Sequence, residues 1–205
     1  MIKDKIIEIG KRLYLKNLTI GTSGNISIKT NEGIYITASG TALGNLSRED
    51  IVLIDDTGNE ISEGKASSEK MLHVEIYKIR QDIKAIIHTH PVYLTTFASC
   101  HKALREPIMS ENILYFEEIP VAEYAMPSSR KLVRNTVKYL KTRDVTMMAN
   151  HGAIACANNI ENAFLKMETA EYYAQVSLNT KIIGGAKLLS DNDVLDLINL
   201  KNNIH

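Results

Sequence analysis

Apolar and polar positions follow two rhythms along the chain. Ile6, Ile9 and Leu13 recur at helical spacing and predict a first helix over Lys3 to Lys16. Short apolar runs then predict strands at Ile26 to Lys29, Ile34 to Thr37 and Ile51 to Ile54, separated by polar, glycine-containing turns. Leu72, Ile76 and Ile79 mark one face of a helix over Glu69 to Arg80, with a serine just before it as the expected N-cap. Lys84 to His88 is a buried-type strand that reaches His90 and stops at Pro91. Helices are expected at Val92 to Ser99 and Arg130 to Lys141. Strands at Val145 to Ala149 and Ala153 to Ala157 flank an Asn150-His151-Gly152 turn. A long helix over Ile160 to Leu178 and a short one near Asp193 to Leu200 complete the reading. Alternating strands and helices without repeats or linkers predict an α/β layered domain spanning residues 1–205.

Several of these boundaries carry polar chemistry. His88 and His90 lie two apart on a strand, so both imidazoles share one face and suit chelation of a divalent ion such as zinc. The competing reading is two histidines at a solvated strand end. His151 is a third ligand candidate, with Gly152 permitting a sharp turn that aims its ring. His73, one turn after Glu69, competes for that place but reads better as a histidine packed or hydrogen-bonded near the site. His101 and His205 read as surface residues. Glu69 is the acid/base candidate, although a carboxylate there also complements the helix dipole. The turns at Thr22, Gly24 and Asn25, at Ser39 and Gly40, and at Ser67 and Ser68 expose small donors that can cradle an oxyanion. Each also fits plain turn chemistry.

Composition narrows the choice of partner. Hydrophobic residues form 44% and charged residues 23% of the 205 positions, which excludes disorder as the main state. Twenty-four basic residues balance 24 acidic ones, so the basic excess of a nucleic-acid binder is missing. Cys100 and Cys156 fit no disulfide or metal pattern. With neither a signal-like N-terminus nor an apolar run of membrane-spanning length, this predicts a soluble cytoplasmic protein.

In chain order, Gly21-Thr22-Ser23-Gly24-Asn25-Ile26-Ser27, Thr37-Ala38-Ser39-Gly40, Ser67-Ser68-Glu69 with His73, His88-Thr89-His90-Pro91 and His151-Gly152 resemble the class II aldolase/adducin family. The likeness is greatest to its fuculose-phosphate aldolase branch and runs from the first helix to about Leu178. It implies a three-layer α/β/α domain with a central, mainly antiparallel sheet, assembled as a homotetramer with sites between subunits. It also implies zinc on His88, His90 and His151, with Glu69 as acid/base. Thr22, Asn25, Ser39, Gly40, Ser67 and Ser68 would hold the phosphate of a sugar-phosphate substrate. The implied reaction is zinc-assisted cleavage of a ketose 1-phosphate to dihydroxyacetone phosphate and an aldehyde. The branch takes a tyrosine from a neighbouring subunit, and gapless alignment puts Met109 there, with Tyr115 nearby. Short-aldehyde substrates such as a 5-deoxypentulose or methylthiopentulose 1-phosphate therefore come into view. Glutamate rather than aspartate after the serines speaks against a pentulose-phosphate epimerase. A methylthioribulose-1-phosphate dehydratase and a non-catalytic adducin-type module are the other readings.

Overall fold

In the computed structural model, which describes residues 1–204, a seven-stranded sheet forms the central layer. Its order is β3-β2-β1-β4-β7-β6-β5, where β1 is Asn25–Thr30, β2 Gly33–Thr37, β3 Ile51–Ile54, β4 Ala85–Thr89, β5 Val121–Ala122, β6 Val145–Met148 and β7 Gly152–Ala157. Every neighbouring pair is antiparallel except β5 with β6. The sheet is thus mixed but mainly antiparallel, as expected.

The strands read as near-continuous apolar runs because both faces are covered. Alternate side chains divide between two cores. Ile26, Ile28, Ala85, Ile87, Ala153 and Ala155 point into one, against helices α1 (Ile2–Leu15), α3 (Val92–Ser99) and α6 (Ile160–Ile182). Ile34, Ile36, Ile86, Ile154 and Cys156 point into the other, against α2 (Lys70–Ile79) and α5 (Arg130–Leu140). The polar residues Asn25, Ser27 and His88 keep the second parity. They therefore lie on the sheet face beneath α2.

Three expectations change. The N-cap position of α2 belongs to Glu69, not to a serine. The Ser67 hydroxyl instead accepts the Glu69 N–H at 3.3 Å, tightening the turn one step earlier and leaving the Glu69 side chain free for the site. The last two helices are longer than expected, because α6 runs to Ile182 and α7 spans Asp191–Ile204. A short helix α4 (Ser110–Tyr115) and the two-residue β5 lie in the stretch where no element was expected. Among the described residues, no helix is long and apolar enough to cross a membrane. Cys100 and Cys156 are free thiols, exposed and buried respectively.

Candidate metal and anion site

The three histidines converge at the end of β4 and the start of β7. Ring centroids of His88, His90 and His151 are 4.9 to 5.0 Å apart, and one ring nitrogen from each lies within 4.8 Å of the others. His88 is fully buried, and its Nδ1 faces the Ala153 carbonyl at 2.9 Å. That contact aims Nε2 into the cluster, as hydrogen-bonded metal ligands usually are. The Nε2 atoms of His88 and His90 are 3.2 Å apart. A tetrahedral ion with nitrogens at about 2.0–2.1 Å would set them about 3.3 Å apart, so the pair fits zinc.

The turn that presents His151 bends for a different reason from the one expected. The left-handed residue is Asn150, at φ 53°, rather than Gly152. His101, expected to be an idle surface residue, bonds the Asn150 Oδ1 through Nε2 at 2.7 Å and braces that turn. Gly152 is required by space. A Cβ there would lie 2.5 Å from the His90 Cδ2 and 2.6 Å from the Thr89 carbonyl oxygen. His205 lies outside the described residues. After Pro91, the start of α3 is closed by the buried Glu171 of α6, whose two oxygens accept the N–H groups of Tyr93 and Leu94 at 2.8 Å each.

Glu69 faces the cluster from the start of α2. Its Oε2 is 3.1 Å from His88 Nε2, its Oε1 is 3.7 Å from His151 Nε2, and Asn25 Nδ2 donates to Oε2 at 3.2 Å. Oε1 is buried without a hydrogen-bond partner. Burial would raise this carboxyl, but the His88 hydrogen bond and the His88 and His151 charges more than offset it and hold it below the usual range. For His88, burial works downward while the Glu69 carboxylate wins and raises it. His90 is pushed down to about 3 and His151 to about 4, in each case first by burial and then by neighbouring positive charge. Both therefore present lone pairs at neutral pH.

The same cavity, about 130 Å³, is lined by all ten residues singled out from the sequence: Thr22, Asn25, Ser39, Gly40, Ser67, Ser68, Glu69, His88, His90 and His151. Main-chain pairing draws the three polar turns together. An Ala38–Ala66 bridge and the bond from Ser67 N–H to the Thr37 carbonyl join the second turn to the third. The first turn reaches β4 through Gly24, at φ 90°, where a Cβ would sit 2.6 Å from the His88 carbonyl oxygen. Pro127 and Ser128 also line the cavity and had not been singled out. Neither Met109 nor Tyr115 is among its lining residues.

His73 is not part of the cluster. It is fully buried on the inner face of α2, with Nε2 on Asn25 Oδ1 at 2.5 Å and Nδ1 on Ser27 Oγ at 2.7 Å. The reading of a hydrogen-bonded histidine beside the site therefore holds. Ser27 and Tyr77, whose oxygens are 2.7 Å apart, extend that network and had escaped notice.

Known proteins resemble the chain over most of its length. Residues 4–178 match the family described as "Class II Aldolase and Adducin N-terminal domain". An L-fuculose phosphate aldolase of Methanocaldococcus jannaschii is 36% identical over 87% of this chain and 96% of its own. A 5-deoxy-D-ribulose 1-phosphate aldolase of Bacillus thuringiensis serovar kurstaki is 36% identical over 95% and 92%. A 3-oxo-tetronate 4-phosphate decarboxylase of Haemophilus influenzae is 29% identical over 96% of both. A solved L-fuculose 1-phosphate aldolase superposes with a TM-score of 0.89 at 33% identity, covering 96% of this chain and 93% of that one.

Proposed function

The chain belongs to the class II aldolase and adducin family and is a lyase of its metal-dependent aldolase kind; we propose that it cleaves L-fuculose 1-phosphate or a related 5-deoxypentulose 1-phosphate to dihydroxyacetone phosphate and a short aldehyde. One observation carries the reading. Glu69 stands between a three-histidine cluster and three neutral anion turns that share a single cavity.

The chain's own groups divide the work. Among the described residues the cavity lining holds no lysine or arginine, so the phosphate is held by N–H and O–H dipoles. Thr22, Asn25, Ser39, Gly40, Ser67 and Ser68 supply them, and the start of α2 adds its positive end. Neutral donors bind the dianion without competing with the metal charge. His88, His90 and His151 hold zinc, which supplies Lewis acidity toward the substrate oxygens when bound. Glu69, ionised at neutral pH, takes up the C4 hydroxyl proton at Oε1 as the C3–C4 bond breaks. The bond pair remains on C3, the C4 oxygen becomes the aldehyde carbonyl, and Glu69 returns a proton to C3. Burial of Glu69 keeps that proton away from bulk water.

We read the assembly as a homotetramer. Its support in the structure is the exposed pair Tyr124 and Met126, immediately before the cavity residues Pro127 and Ser128. Sedimentation should give four times the 22.9 kDa chain mass.

The deciding experiment is release of dihydroxyacetone phosphate from L-fuculose 1-phosphate, coupled to a reductase, with and without chelator. Chelator-sensitive release supports the proposal. Absence of release from zinc-loaded protein moves the test to 5-deoxypentulose 1-phosphates, and failure there rejects the aldol reading. Carbon dioxide release from a 3-oxo-tetronate 4-phosphate would then identify decarboxylation instead.

A further inference from the structure

Beneath the cavity, a line of five buried or nearly buried side chains crosses from β1 to α2. Glu69, His73 and Tyr77 follow one another at four-residue spacing on α2, and Asn25 and Ser27 share the facing side of β1. Their contacts form one unbranched chain from Tyr77 OH to Ser27 Oγ, His73 Nδ1, His73 Nε2, Asn25 Oδ1, Asn25 Nδ2 and Glu69 Oε2.

The direction of that chain follows from its charged end. An ionised Glu69 only accepts, so Asn25 must turn its NH₂ group toward it and its carbonyl toward His73. The carbonyl needs a donor, which places the ring proton of a neutral His73 on Nε2. Nδ1 is then an acceptor, Ser27 must donate to it, and Tyr77 must donate to Ser27. Reversal would set the Asn25 carbonyl oxygen against the carboxylate and leave repulsion where a bond now stands. With the NH₂ group fixed, one hydrogen serves Glu69. Asn25 also lines the cavity with Thr22, Ser39 and Ser67, so the other is the hydrogen available to a bound anion.

We infer that His73 is a positioning residue: its Nε2–H holds the Asn25 amide so that a single NH₂ group orients Glu69 and a bound phosphate together. This deepens the aldolase reading and rests on it for the roles of Glu69 and the anion turns. Loss of the His73 donor lets the amide turn over, and both partners lose a bond at once. A histidine serving only to fill space would have no such paired effect.

The test uses the full, zinc-loaded chain and begins with the wild type. Nitrogen-15 resonances of the His73 ring should report the neutral Nε2–H form at neutral pH, and an Nδ1–H ring would overturn the proposal. His73→Leu removes the donor, whereas His73→Gln keeps an N–H within reach of Asn25. Inorganic phosphate binding and kcat should each fall roughly tenfold in His73→Leu, the size of one net hydrogen bond, and return to within about threefold in His73→Gln. Zinc content should not change in either variant. Equal losses in both variants, or no loss in His73→Leu, would reject positioning. If His73→Leu does not fold, the wild-type ring proton and the His73→Gln values decide. If the wild type binds no inorganic phosphate, the anion reading of the cavity fails, and the ring proton with kcat still judges the orientation of Glu69.

Discussion

Replacing Gly152 with alanine perturbs the metal cluster through a single methyl group. That methyl would lie 2.5 Å from the His90 Cδ2 and 2.6 Å from the Thr89 carbonyl oxygen. Carbon contacts in proteins settle at about 3.5 Å or more, so each neighbour must withdraw by about 1 Å. The backbone around Thr89 is tied into the sheet by its pairing with Ala153 of β7, which leaves the His90 ring as the softer partner. Metal ligation tolerates displacement of only about 0.2 Å. Overpacking of this kind costs about 1–3 kcal/mol. Borne wholly by the zinc-bound state, that cost weakens zinc about five- to 150-fold. Gly152 does not have a left-handed φ, so the effect is steric rather than conformational. Competition with a chromophoric chelator measures zinc affinity, and urea unfolding of the stripped protein measures the remainder. Gly152→Ala should lose at least fivefold in zinc affinity with a smaller loss in the stripped protein. Zinc affinity within twofold of wild type, alongside a lowered urea midpoint, would show that the ladder yields instead of the ring and would refute the argument.

Other perturbations read other parts of the site. His88→Ala should abolish stoichiometric zinc in metal analysis, because it removes the buried member of the cluster; unchanged zinc would end the ligand assignment. Glu69→Gln should keep zinc while lowering turnover by about 10²-fold or more, measured at saturating substrate. Glu171→Gln leaves one acceptor for two N–H groups at the start of α3 and should cost about 1–3 kcal/mol in urea unfolding. His73 is pushed down to about 3 by burial first and then by the His88 charge, so folding favours its neutral form. Its contribution is present above pH 6.5 and is lost as pH falls from 6.5 toward 3, by at most about 4–5 kcal/mol. His73→Leu should flatten that part of the stability curve of the stripped protein.

The two rhythms of the chain carried most of the architecture because both sheet faces are buried. Ala85-Ile86-Ile87 is apolar throughout, and so marks a central strand without showing which residue faces which core. Pairing supplies that distinction: Ile86 lies opposite Ser27 and Cys156, beneath α2. β5 was not legible because Val121–Ala122 is too short to display any period, and its parallel partner arrives from a distant part of the chain. α4 fails for the same reason, with six residues and its Asn112 side chain turned back to the Met109 N–H. The first turn of α2 misled in a different way. Ser67 has the composition of an N-cap, but its hydroxyl is spent on the residue that proves to occupy that position.

The clustered histidines and the first two turns were legible because each stands at the end of an apolar run, where the chain leaves the core and side chains can meet. The network behind Glu69 is written in equally simple spacing, with residues 25 and 27 on a strand and 69, 73 and 77 on a helix. What spacing cannot express is that these two polar faces are pressed together, since that depends on β1 lying next to β4 under α2. Once they meet, burial decides the rest. A buried chain of neutral donors starts at a group free to donate and takes its direction from an end that only accepts. Tyr77, buried with its proton held more firmly than in water, supplies the first end, and ionised Glu69 supplies the second. The polar residues that interrupt an apolar pattern here are thus ordered by one charge at the cavity wall. Removing that charge by Glu69→Gln should free the Asn25 amide to turn, and the His73 ring-nitrogen resonances should then show a mixture of tautomers. A single unchanged Nε2–H signal in that variant would mean that Ser27 and Tyr77, rather than Glu69, set the direction.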